Sequence, residues 1–503
     1  MTTANLDADL RSVQQARDLA VGAREAMRSF QFASQQQVDS ICSAMVAAAM
    51  REAGRLGQLA HDETGFGYAA HKRIKNEFAA QGVWDSIKDI PTCGVLRRDE
   101  DRGIVEIGWP VGVLAALTPS TNPTSTAIYK VLIAVKARNA IIVAPHPSAK
   151  ECTAEAVRVM VEAGEAAGMP KGLVSCMTEL SLQGTNELMN HYATSMIIAT
   201  GGPGMVKAAH SCGKPALGVG PGNVPVYVDR SADIPLAASM IVESKSFDCS
   251  TICATEQCVI ADRPIAEQLK REMQSRGAHW LTAEESERLA GMMFRASGLM
   301  VADYVGRTPQ ALGTAAGISV PDSARILVAD LGGVGPAYPL SREKLTTVLG
   351  FMVEDGWRAG CDRAVQLLTF GGDGHSVVIH ARDEEAILAF GIEKPAFRIL
   401  VNTWGSLGGV GYTTGLRPSM TLAPGGIGGA AVSDNITVEH VLNVKRIAYQ
   451  VLEPPPAARA HGGVLHAAAP AVGSYAAGSS SDDSASAALI EKLVRQILLE
   501  LDK

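Results

Sequence analysis

Short apolar segments alternate with helical patterns beyond residue 103, and this alternation limits the possible folds more than any other feature of the sequence. The apolar segments are 104–107, 111–117, 140–144, 174–177 and 195–200. Apolar residues at helical spacing separate several of them, most clearly over 125–136 and 153–167. Because parallel strands need a long crossover connection, this alternation predicts βαβ units in a parallel sheet. Residues from about 110 to 230 are therefore expected to form a doubly wound domain, with a ligand crevice beyond the carboxyl ends of its strands.

The alternation continues after residue 240 and predicts a second α/β region that ends near residue 412. Its strand-like segments include 325–329, 365–369 and 398–401. The first ninety residues differ, because their apolar residues recur at helical spacing, and they predict several amphipathic helices that end near Pro91. The predicted fold class is therefore α/β, with two main domains.

Composition and charge exclude several classes of protein. The 503 residues contain 45 Lys and Arg against 52 Asp and Glu, so the chain lacks the basic surplus of a nucleic-acid-binding protein. No apolar stretch is long enough for a membrane-spanning helix, and the first eleven residues do not resemble a secretion signal. The nine cysteines are odd in number and show no disulfide framework, which predicts reduced thiols in the cytoplasm.

Three cysteines cluster between a helical segment and a strand-like segment, in the run 247–260. Cys253 is expected in the connecting loop, where backbone N–H groups can favour a thiolate that acts as a nucleophile. Cys249 and Cys258 lack a second pair of ligands at metal-binding spacing, so no metal site is predicted. The spacing alone fits buried structural cysteines as well as a nucleophile.

Two further segments suit a ligand site at the end of a strand. The Thr-Gly-Gly run 200–202 follows a strand and opens a helix, a position that attracts phosphate groups, although a plain tight turn has the same pattern. It does not match the dinucleotide-binding fingerprint of spaced glycines. Asn122 follows the apolar segment 111–117, where its amide could donate to a developing oxyanion or form an Asx turn before the next proline.

Seven separated motifs resemble those of the CoA-acylating aldehyde dehydrogenases. They are 118–127 (TPSTNPTSTA), 144–147 (APHP), 218–223 (GVGPGN), the run around Cys253, 343–345 (EKL), 371–375 (GGDGH) and 400–403 (LVNT). They occur in order over about residues 10–450. The resemblance is nearest to the aldehyde dehydrogenase half of bifunctional alcohol/aldehyde dehydrogenases, to acylating sulfoacetaldehyde dehydrogenases and to the aldehyde dehydrogenases of bacterial microcompartments.

This resemblance implies an aldehyde dehydrogenase-like architecture. A Rossmann-type cofactor-binding domain would span 1–240, with residues 413–440 returning to it. An α/β catalytic domain that carries the nucleophilic cysteine would span 241–412. Strands near 100–110 and 440–452 would form a small oligomerisation element, which implies a homodimer or homotetramer.

The resemblance also assigns roles to individual residues. Cys253 would attack the aldehyde and Asn122 would stabilise the resulting oxyanion, whereas His375 would either help to deprotonate CoA or serve structurally. The cofactor-binding positions would be Thr118, Pro119, His146, Pro147, Thr200, Gly201, Gly202, Gly218 and Glu343. The acid that binds the ribose hydroxyls of NAD in hydrolytic members is missing beside His146. The expected cofactor is NAD, and this missing acid leaves NADP possible.

The expected acyl acceptor follows from a missing carboxylate. Hydrolytic members of the superfamily carry a glutamate general base in a segment that corresponds here to 217–222, and this chain has no acid there. Water is then a poor acceptor, and the resemblance implies that the CoA thiol takes the acyl group. The expected reaction converts a short-chain aldehyde, CoA and NAD(P)⁺ to acyl-CoA and NAD(P)H. The alternatives are a sulfoacetaldehyde dehydrogenase, a hydrolytic enzyme that forms free acid, and a shell-associated scaffold protein.

The last part of the chain has a different composition. Residues 453–487 are dominated by Ala, Gly, Ser and Pro, which predicts a disordered linker. Residues 488–503 carry an apolar stripe at helical spacing, which predicts an amphipathic helix that needs a partner surface. A linker and a short helix resemble the encapsulation peptides that dock enzymes on microcompartment shell proteins. The chain is therefore expected in a microcompartment lumen, and an extra oligomer contact is the alternative role for the helix.

Overall fold

Three β-sheets organise the structure, a computed structural model in which residues 7–455 are described. The strands are β1 (Gly94–Asp99), β2 (Ile104–Pro110), β3 (Val113–Leu117), β4 (Ala140–Ala144), β5 (Val174–Cys176), β6 (Thr194–Thr200), β7 (Ala216–Val219), β8 (Val224–Val228), β9 (Glu256–Asp262), β10 (Ala278–Trp280), β11 (Ile326–Asp330), β12 (Val348–Glu354), β13 (Val377–His380), β14 (Ile399–Val401) and β15 (Leu442–Ala448). Two sheets are parallel throughout and the third is antiparallel. The parallel sheets confirm the predicted α/β class.

The five-stranded sheet has the order β5-β4-β3-β6-β7. The chain leaves β3 toward one edge of this sheet and later returns to pair β6 on the other side of β3. Both β3 and β4 are buried over their whole lengths, as expected for strands covered on both faces. The reversal between β3 and β6 opens a crevice at their carboxyl ends, which are Leu117 and Thr200. The predicted doubly wound arrangement is therefore present.

The seven-stranded sheet has the order β10-β11-β12-β9-β8-β13-β14. β8 pairs with β9 and β13 and not with β7, so the loop 220–223 carries the chain from one sheet to the other. β8 was expected in the doubly wound region 110–230, and its pairing in the seven-stranded sheet corrects this expectation. Successive residues of β8 enter two separate cores, with Val226 in one and Tyr227 in the other. A strand buried on both faces gives no periodic signal of the sheet to which it belongs.

Fifteen α-helices lie within residues 7–455. They are α1 (Ala8–Phe30), α2 (Gln35–Thr64), α3 (Ala69–Glu77), α4 (Val83–Ile87), α5 (Pro123–Lys136), α6 (Lys150–Ala166), α7 (Leu182–Asn190), α8 (Pro203–Ser211), α9 (Ile234–Ser246), α10 (Ala266–Ser275), α11 (Ala283–Met293), α12 (Pro309–Ala316), α13 (Gly356–Gly371), α14 (Glu384–Glu393) and α15 (Gly405–Gly409). α1 and α2 begin at side-chain caps on Asp7 and Ser34, and their apolar faces join the core of the five-stranded sheet. They confirm the amphipathic helices expected over the first ninety residues.

The segment 365–369, which was expected to be a strand, is part of α13. The buried side chains of this helix recur at helical spacing, at Cys361, Ala364, Leu367 and Leu368. A short apolar run does not distinguish a strand from a buried turn of helix by periodicity alone. α13 covers one face of the seven-stranded sheet, where its apolar residues share a core with Tyr227.

The antiparallel sheet has the order β1-β2-β15. β1 has no counterpart in the sequence analysis, because none of its six residues is buried and no apolar pattern marks it. The segment before β15 packs back on the first half of the chain. Tyr129 donates to the carbonyl of Ile436 at 2.6 Å, and Asn139 donates to the carbonyl of Val441 at 2.7 Å.

All nine cysteines are unpaired, as predicted. Among residues 7–455, none of the helices combines the length and apolar character needed to cross a bilayer. The compact unit of the structure ends at Tyr449. The predicted terminal helix 488–503 and most of the predicted linker lie outside the described residues.

Candidate active site

Loops from both parallel sheets meet around one cavity. The five-stranded sheet contributes loops at the carboxyl ends of β3, β4 and β6, and the seven-stranded sheet contributes loops at the amino ends of β8, β9 and β12. The predicted site residues that line this cavity are Thr118, Pro119, Asn122, His146, Thr200, Gly201, Gly202, Cys253 and Glu343. The fold thus brings together most of the residues that the sequence motifs singled out.

Three predicted site residues do not line the cavity. His375 is completely buried and lies behind Cys253. Pro147 is exposed at the start of a short 3₁₀ helix after β4. Gly218 lies within β7 beneath α8, where a Cβ would come within 2.8 Å of Val206. The structure thus gives Gly218 a role in the packing of α8 on β7, and its expected cofactor contact stays a prediction.

Cys253 and His375 form a thiol–imidazole pair at the cavity. Cys253 Sγ lies 3.3 Å from His375 Nε2, and His375 Nδ1 lies 3.0 Å from Ser376 Oγ. Cys253 precedes β9 and is partly exposed, whereas His375 precedes β13 and has no exposed surface. Because β9 and β13 both flank β8 in a parallel sheet, their amino ends bring these two loops to the same edge.

Burial keeps both members of this pair uncharged near neutral pH. It raises the pKa of the Cys253 thiol to about 12, and the negative charge of Glu343 adds to that shift. Burial also lowers the pKa of His375 to about 3, and the nearby Arg398 contributes to this shift. A neutral imidazole at hydrogen-bond distance can accept the thiol proton as the sulfur attacks a carbonyl carbon.

The two neighbouring cysteines occupy different environments. Cys249 is fully buried in the turn before Cys253, and Cys258 is fully buried within β9. Burial raises the pKa of both thiols to about 12, and neither lines the cavity. Of the three cysteines in this cluster, Cys253 alone combines access to the cavity with a histidine partner, so the structural interpretation fits only the other two.

Asn122 faces the loop of Cys253 from the start of α5. Its Nδ2 donates to the carbonyl oxygen of Thr251 at 2.9 Å and to Thr121 Oγ1 at 3.2 Å. Its Oδ1 accepts from Lys75 Nζ at 2.5 Å. The Asx turn is absent, because the Asn122 side chain makes no capping hydrogen bond to α5. Its amide nitrogen points instead toward the loop that carries Cys253, which is called the nucleophile loop below. This is the orientation that an oxyanion donor requires.

A left-handed turn over residues 248–250 precedes the nucleophile, with φ values of 46°, 49° and 63°. Such conformations cost roughly 1–3 kcal/mol each for residues other than glycine, so the surroundings must hold the turn. The Asp248 side chain stabilises this turn, because its Oδ1 accepts a hydrogen bond from the backbone N–H of Tyr68 at 2.8 Å. Its Oδ2 accepts from Lys72 at 3.1 Å and from Lys75.

The loop 220–222 lies directly against the nucleophile loop. A Cβ on Gly222 would lie 2.1 Å from the carbonyl oxygen of Cys253, so only glycine fits there. The Gly222 N–H donates to Glu343 Oε1 at 2.6 Å, and burial raises the pKa of Glu343. Gly220 and Pro221 line the cavity and bring no carboxylate, so Glu343 is the one acid in its lining within residues 7–455.

The opposite wall of the cavity suits a dinucleotide. α8 begins after Gly202 with no side-chain cap. Its first residue, Pro203, has no N–H, and the Met205 and Val206 N–H groups donate to the carbonyl of Gly202, which leaves the Gly204 N–H as the donor of this terminus. A Cβ on Gly202 would meet no atom within 4 Å, which leaves space for a phosphate group at this helix terminus. His146 Nδ1 lies 2.8 Å from Ser148 Oγ at the end of β4, and both side chains line the cavity. These residues fit a dinucleotide cofactor such as NAD(P).

Sequence reasoning missed three buried charged residues that support the site, namely Lys75, Asp248 and Arg398. Arg398 donates to the carbonyl of His375 and to the carbonyl of Ala423, each at 2.8 Å, and so fixes the loop before β13. No local pattern distinguishes these residues, because charged side chains in an amphipathic helix or beside a strand usually face solvent.

Comparison with known proteins agrees with this geometry. The family model of the aldehyde dehydrogenase family matches residues 6–290. The aldehyde-alcohol dehydrogenase of Streptococcus pneumoniae is 41% identical over 409 residues, which cover 80% of this chain and 46% of that protein. The chain therefore spans about half the length of this curated relative.

Two solved structures are similar over most of their lengths. An acetylating aldehyde dehydrogenase from Geobacillus thermoglucosidasius has 49% identity and a TM-score of 0.88, covering 89% of this chain and 99% of that one. A propionaldehyde dehydrogenase from the fucose utilisation microcompartment of Clostridium phytofermentans has 27% identity and a TM-score of 0.78, covering 86% of this chain and 96% of that one. Together with the two parallel sheets and the small antiparallel sheet, the family model that matches more than half of the chain shows that the chain belongs to the aldehyde dehydrogenase family.

Proposed function

We propose that this chain is a CoA-acylating aldehyde dehydrogenase that converts a short-chain aldehyde, CoA and NAD(P)⁺ to acyl-CoA and NAD(P)H. One observation carries the proposal. Cys253 Sγ lies 3.3 Å from the neutral imidazole of His375, beside a cavity wall over 220–222 that brings no carboxylate. Similarity to an acetylating enzyme at 49% identity supports the same conclusion.

The first step is the attack of Cys253 on the aldehyde. His375 Nε2 takes the thiol proton as the sulfur bonds to the carbonyl carbon, because its low pKa keeps the imidazole unprotonated. The hemithioacetal oxygen becomes negative and needs hydrogen-bond donors. Asn122 Nδ2 can exchange its longer bond, 3.2 Å to Thr121 Oγ1, for a bond to this oxyanion. Loss of one such donor typically costs about 3–4 kcal/mol of transition-state stabilisation.

The second step oxidises the hemithioacetal to a thioester on Cys253. A bound NAD(P)⁺ supplies the hydride acceptor in this oxidation. The chain contributes the wall that binds this cofactor, with Gly202 at the start of α8 and His146 after β4, and Glu343 extends from the catalytic side. We propose NAD as the cofactor, and NADP stays possible because the wall beside His146 carries no acid within the described residues that would select NAD.

The third step transfers the acyl group from Cys253 to the CoA thiol. Hydrolysis would require a general base that activates water, and the loop 220–222 offers none. Glu343 is the one nearby acid of the lining, and its Oε1 accepts from Gly222 N–H at 2.6 Å. After His375 has released the first proton to solvent, it is the base that we assign to the CoA thiol. The thiolate of CoA attacks the thioester, and the departing Cys253 thiolate takes the proton back from His375 Nε2.

The cavity lining favours an uncharged aldehyde. Its apolar side chains include Phe66, Val305, Leu345, Val410, Met420 and Leu422. His146 is the one basic side chain of the lining within residues 7–455, and burial lowers its pKa. A sulfonate or carboxylate would lose its hydration here without a counter-ion. We therefore expect kcat/KM for acetaldehyde or propionaldehyde to exceed that for sulfoacetaldehyde by about a hundredfold.

The test follows NAD(P)H absorbance with and without CoA. Without CoA, the acylating enzyme should stop after about one NAD(P)H per active site, as expected when a covalent intermediate accumulates. With CoA, turnover should continue and acyl-CoA should form. Steady release of free acid without CoA would establish a hydrolytic enzyme, and no NAD(P)H with any aldehyde would favour the scaffold alternative.

We also propose a location and an assembly. The terminal segment 488–503 would dock the enzyme on a microcompartment shell, and the sheet of β1, β2 and β15 would join protomers in a homodimer or homotetramer. Similarity to a microcompartment propionaldehyde dehydrogenase supports the location. Removal of residues 453–503 should leave activity nearly unchanged, and fusion of 484–503 to a fluorescent protein should recruit it to a co-expressed shell. Loss of assembly and activity on truncation would make this segment an assembly element instead.

A further inference from the structure

Two lysines and one carboxylate are buried together beneath the nucleophile loop. Lys72, Lys75 and Asp248 have exposed fractions of 2%, 3% and 0%. Lys72 and Lys75 both bind Asp248 Oδ2, so the cluster has a net positive charge when both amines are protonated. Buried ion clusters cost desolvation free energy, and well-packed apolar residues often replace them without loss of stability. Stability alone therefore does not explain why these three charged side chains are buried together.

Lys75 connects this cluster to the proposed oxyanion donor. Its Nζ donates to Asn122 Oδ1 at 2.5 Å and to Thr251 Oγ1 at 3.2 Å, in addition to Asp248. An ammonium group has three donors and no acceptor. It can therefore contact only the oxygen of the Asn122 amide, and this contact fixes which end of the amide faces the nucleophile loop.

The fixed amide has two consequences for the reaction. Asn122 Nδ2 is directed toward the carbonyl of Thr251, two residues before Cys253, instead of turning away. A cation on Oδ1 also withdraws electron density from the amide, which makes its N–H a stronger donor to a negative oxygen. Burial lowers the pKa of Lys75 to about 8, with Asp248 opposing the shift, so the amine is mostly a cation at neutral pH.

We propose that Lys75 is a positioning residue that orients and polarises Asn122 for the oxyanion formed at Cys253. This inference rests on the proposed function and adds a residue to its machinery that the family motifs quoted above do not include. Lys75 touches no reacting atom. It acts through Asn122, and Asp248 ties it to the turn that carries the nucleophile.

Lys72 provides a matched comparison within the same cluster. It lies one turn earlier on α3, is buried to the same degree, has the same side chain and binds the same oxygen of Asp248. Its other contact is the carbonyl of Thr121 at 3.3 Å, and it makes no contact with Asn122. A general effect of charge or packing should therefore appear equally in variants of Lys72 and Lys75.

The test is a double-mutant cycle read out by the rate of the first NAD(P)H burst. Asn122→Ala should slow the burst about 10²–10³-fold. Lys75→Met should slow it about 10–100-fold in the wild-type background and less than twofold in the Asn122→Ala background, because the two residues act as a unit. Lys72→Met should slow it no more than about fivefold. NAD(P)H affinity and the thermal midpoint are measured for every variant.

Lys75→Gln covers the case in which Lys75→Met does not fold. Glutamine can still donate to Asn122 Oδ1 but lacks the charge, so a burst rate between those of wild type and Asn122→Ala is expected. Equal losses from Lys75 variants in both backgrounds, or a Lys72→Met loss as large as that of Lys75→Met, would overturn the inference. A wild-type enzyme that makes no acyl-CoA would overturn the proposed function, a different result from a normal burst that is insensitive to Lys75.

Discussion

The two parallel sheets contribute loops to the cavity from opposite ends of their strands. The five-stranded sheet uses the carboxyl ends of β3, β4 and β6, which carry Asn122, His146 and Gly202. The seven-stranded sheet uses amino ends, since Cys253 precedes β9 and His375 precedes β13. Loops at the carboxyl ends of parallel strands are the usual ligand sites of open α/β sheets. This rule therefore predicts the position of the wall around His146 and Gly202, called the cofactor wall here, but not the position of Cys253.

Apart from Asn122, which the five-stranded sheet contributes to the proposed chemistry, this difference separates the proposed cofactor binding from the proposed chemistry. The wall that we propose for the cofactor presents the uncapped start of α8, with space for a ligand beside Gly202. The catalytic edge presents a thiol and an imidazole in contact, held by a strained turn and by buried charges around Asp248. Changes at the catalytic edge should therefore reduce kcat, whereas changes at the cofactor wall should raise KM for NAD(P).

Cys253→Ala should have the largest effect of any single substitution at either sheet. Removal of a nucleophile typically reduces turnover by at least about 10⁴-fold, and no acyl-enzyme can form. NAD(P)H affinity and thermal stability should stay close to those of the wild type, because the cofactor wall is unchanged. Substantial residual turnover, with an acyl label on Cys249 or Cys258, would contradict the assignment of the nucleophile.

His375→Ala should reduce the burst rate by about 10²–10⁴-fold, the usual contribution of a positioned general base. Because burial lowers the pKa of His375 to about 3, the wild-type base stays unprotonated from about pH 5.5 upward. The wild-type burst should therefore not fall between about pH 7.5 and pH 5.5. The variant should regain rate as pH rises, since its thiol must ionise unaided.

His380 is the control for this prediction. It ends β13 at the carboxyl edge, whereas His375 precedes the same strand, and both side chains are buried. Burial lowers the pKa of His380 to about 4, and its Nε2 has no hydrogen-bond partner. His380→Gln should change the burst rate less than twofold. A wild-type burst that follows a group titrating near pH 6.5, or a large effect of His380→Gln, would contradict the account.

Gly202→Asp should have a smaller effect than Cys253→Ala or His375→Ala, and it should act on cofactor binding alone. An aspartate is a favourable N-cap for α8, so the thermal midpoint should not fall. Its negative charge would repel the phosphates of NAD(P), and KM for the cofactor should rise about tenfold, equal to ~1.4 kcal/mol. Gly202→Asn, a neutral cap of the same size, should raise KM less. A fall in kcat with unchanged KM would place the cofactor elsewhere.

The fold was largely predictable from the sequence, and the predictions that failed did so for physical reasons. The alternation of strands and helices gave the parallel sheets correctly, because buried parallel strands are continuous apolar runs. The assignment of β8 failed, since pairing partners depend on distant residues. The run 365–369 failed because a buried helical turn and a short strand share one pattern. β1 was missed because its exposed residues lack an apolar pattern.

The site was predictable where a motif lies in one loop. Cys253, Asn122 and the run 200–202 line the cavity as expected. The residues that contact and support the site residues were not predictable. Lys75 on α3 and Arg398 beside β14 reach Asn122 and His375 only through tertiary packing. Gly218 lies outside the cavity lining, and its missing side chain lets α8 pack on β7, a role that a glycine beside a ligand loop does not reveal in the sequence.

The most direct test of the central claim is the mass of the enzyme through one turnover. After incubation with propionaldehyde and NAD(P)⁺ without CoA, the peptide that contains Cys253 should gain the mass of one propionyl group. Addition of CoA should remove this mass and release an equal amount of propionyl-CoA. An adduct that never forms on Cys253, or that is lost as free acid at the same rate without CoA, would contradict the acylating mechanism.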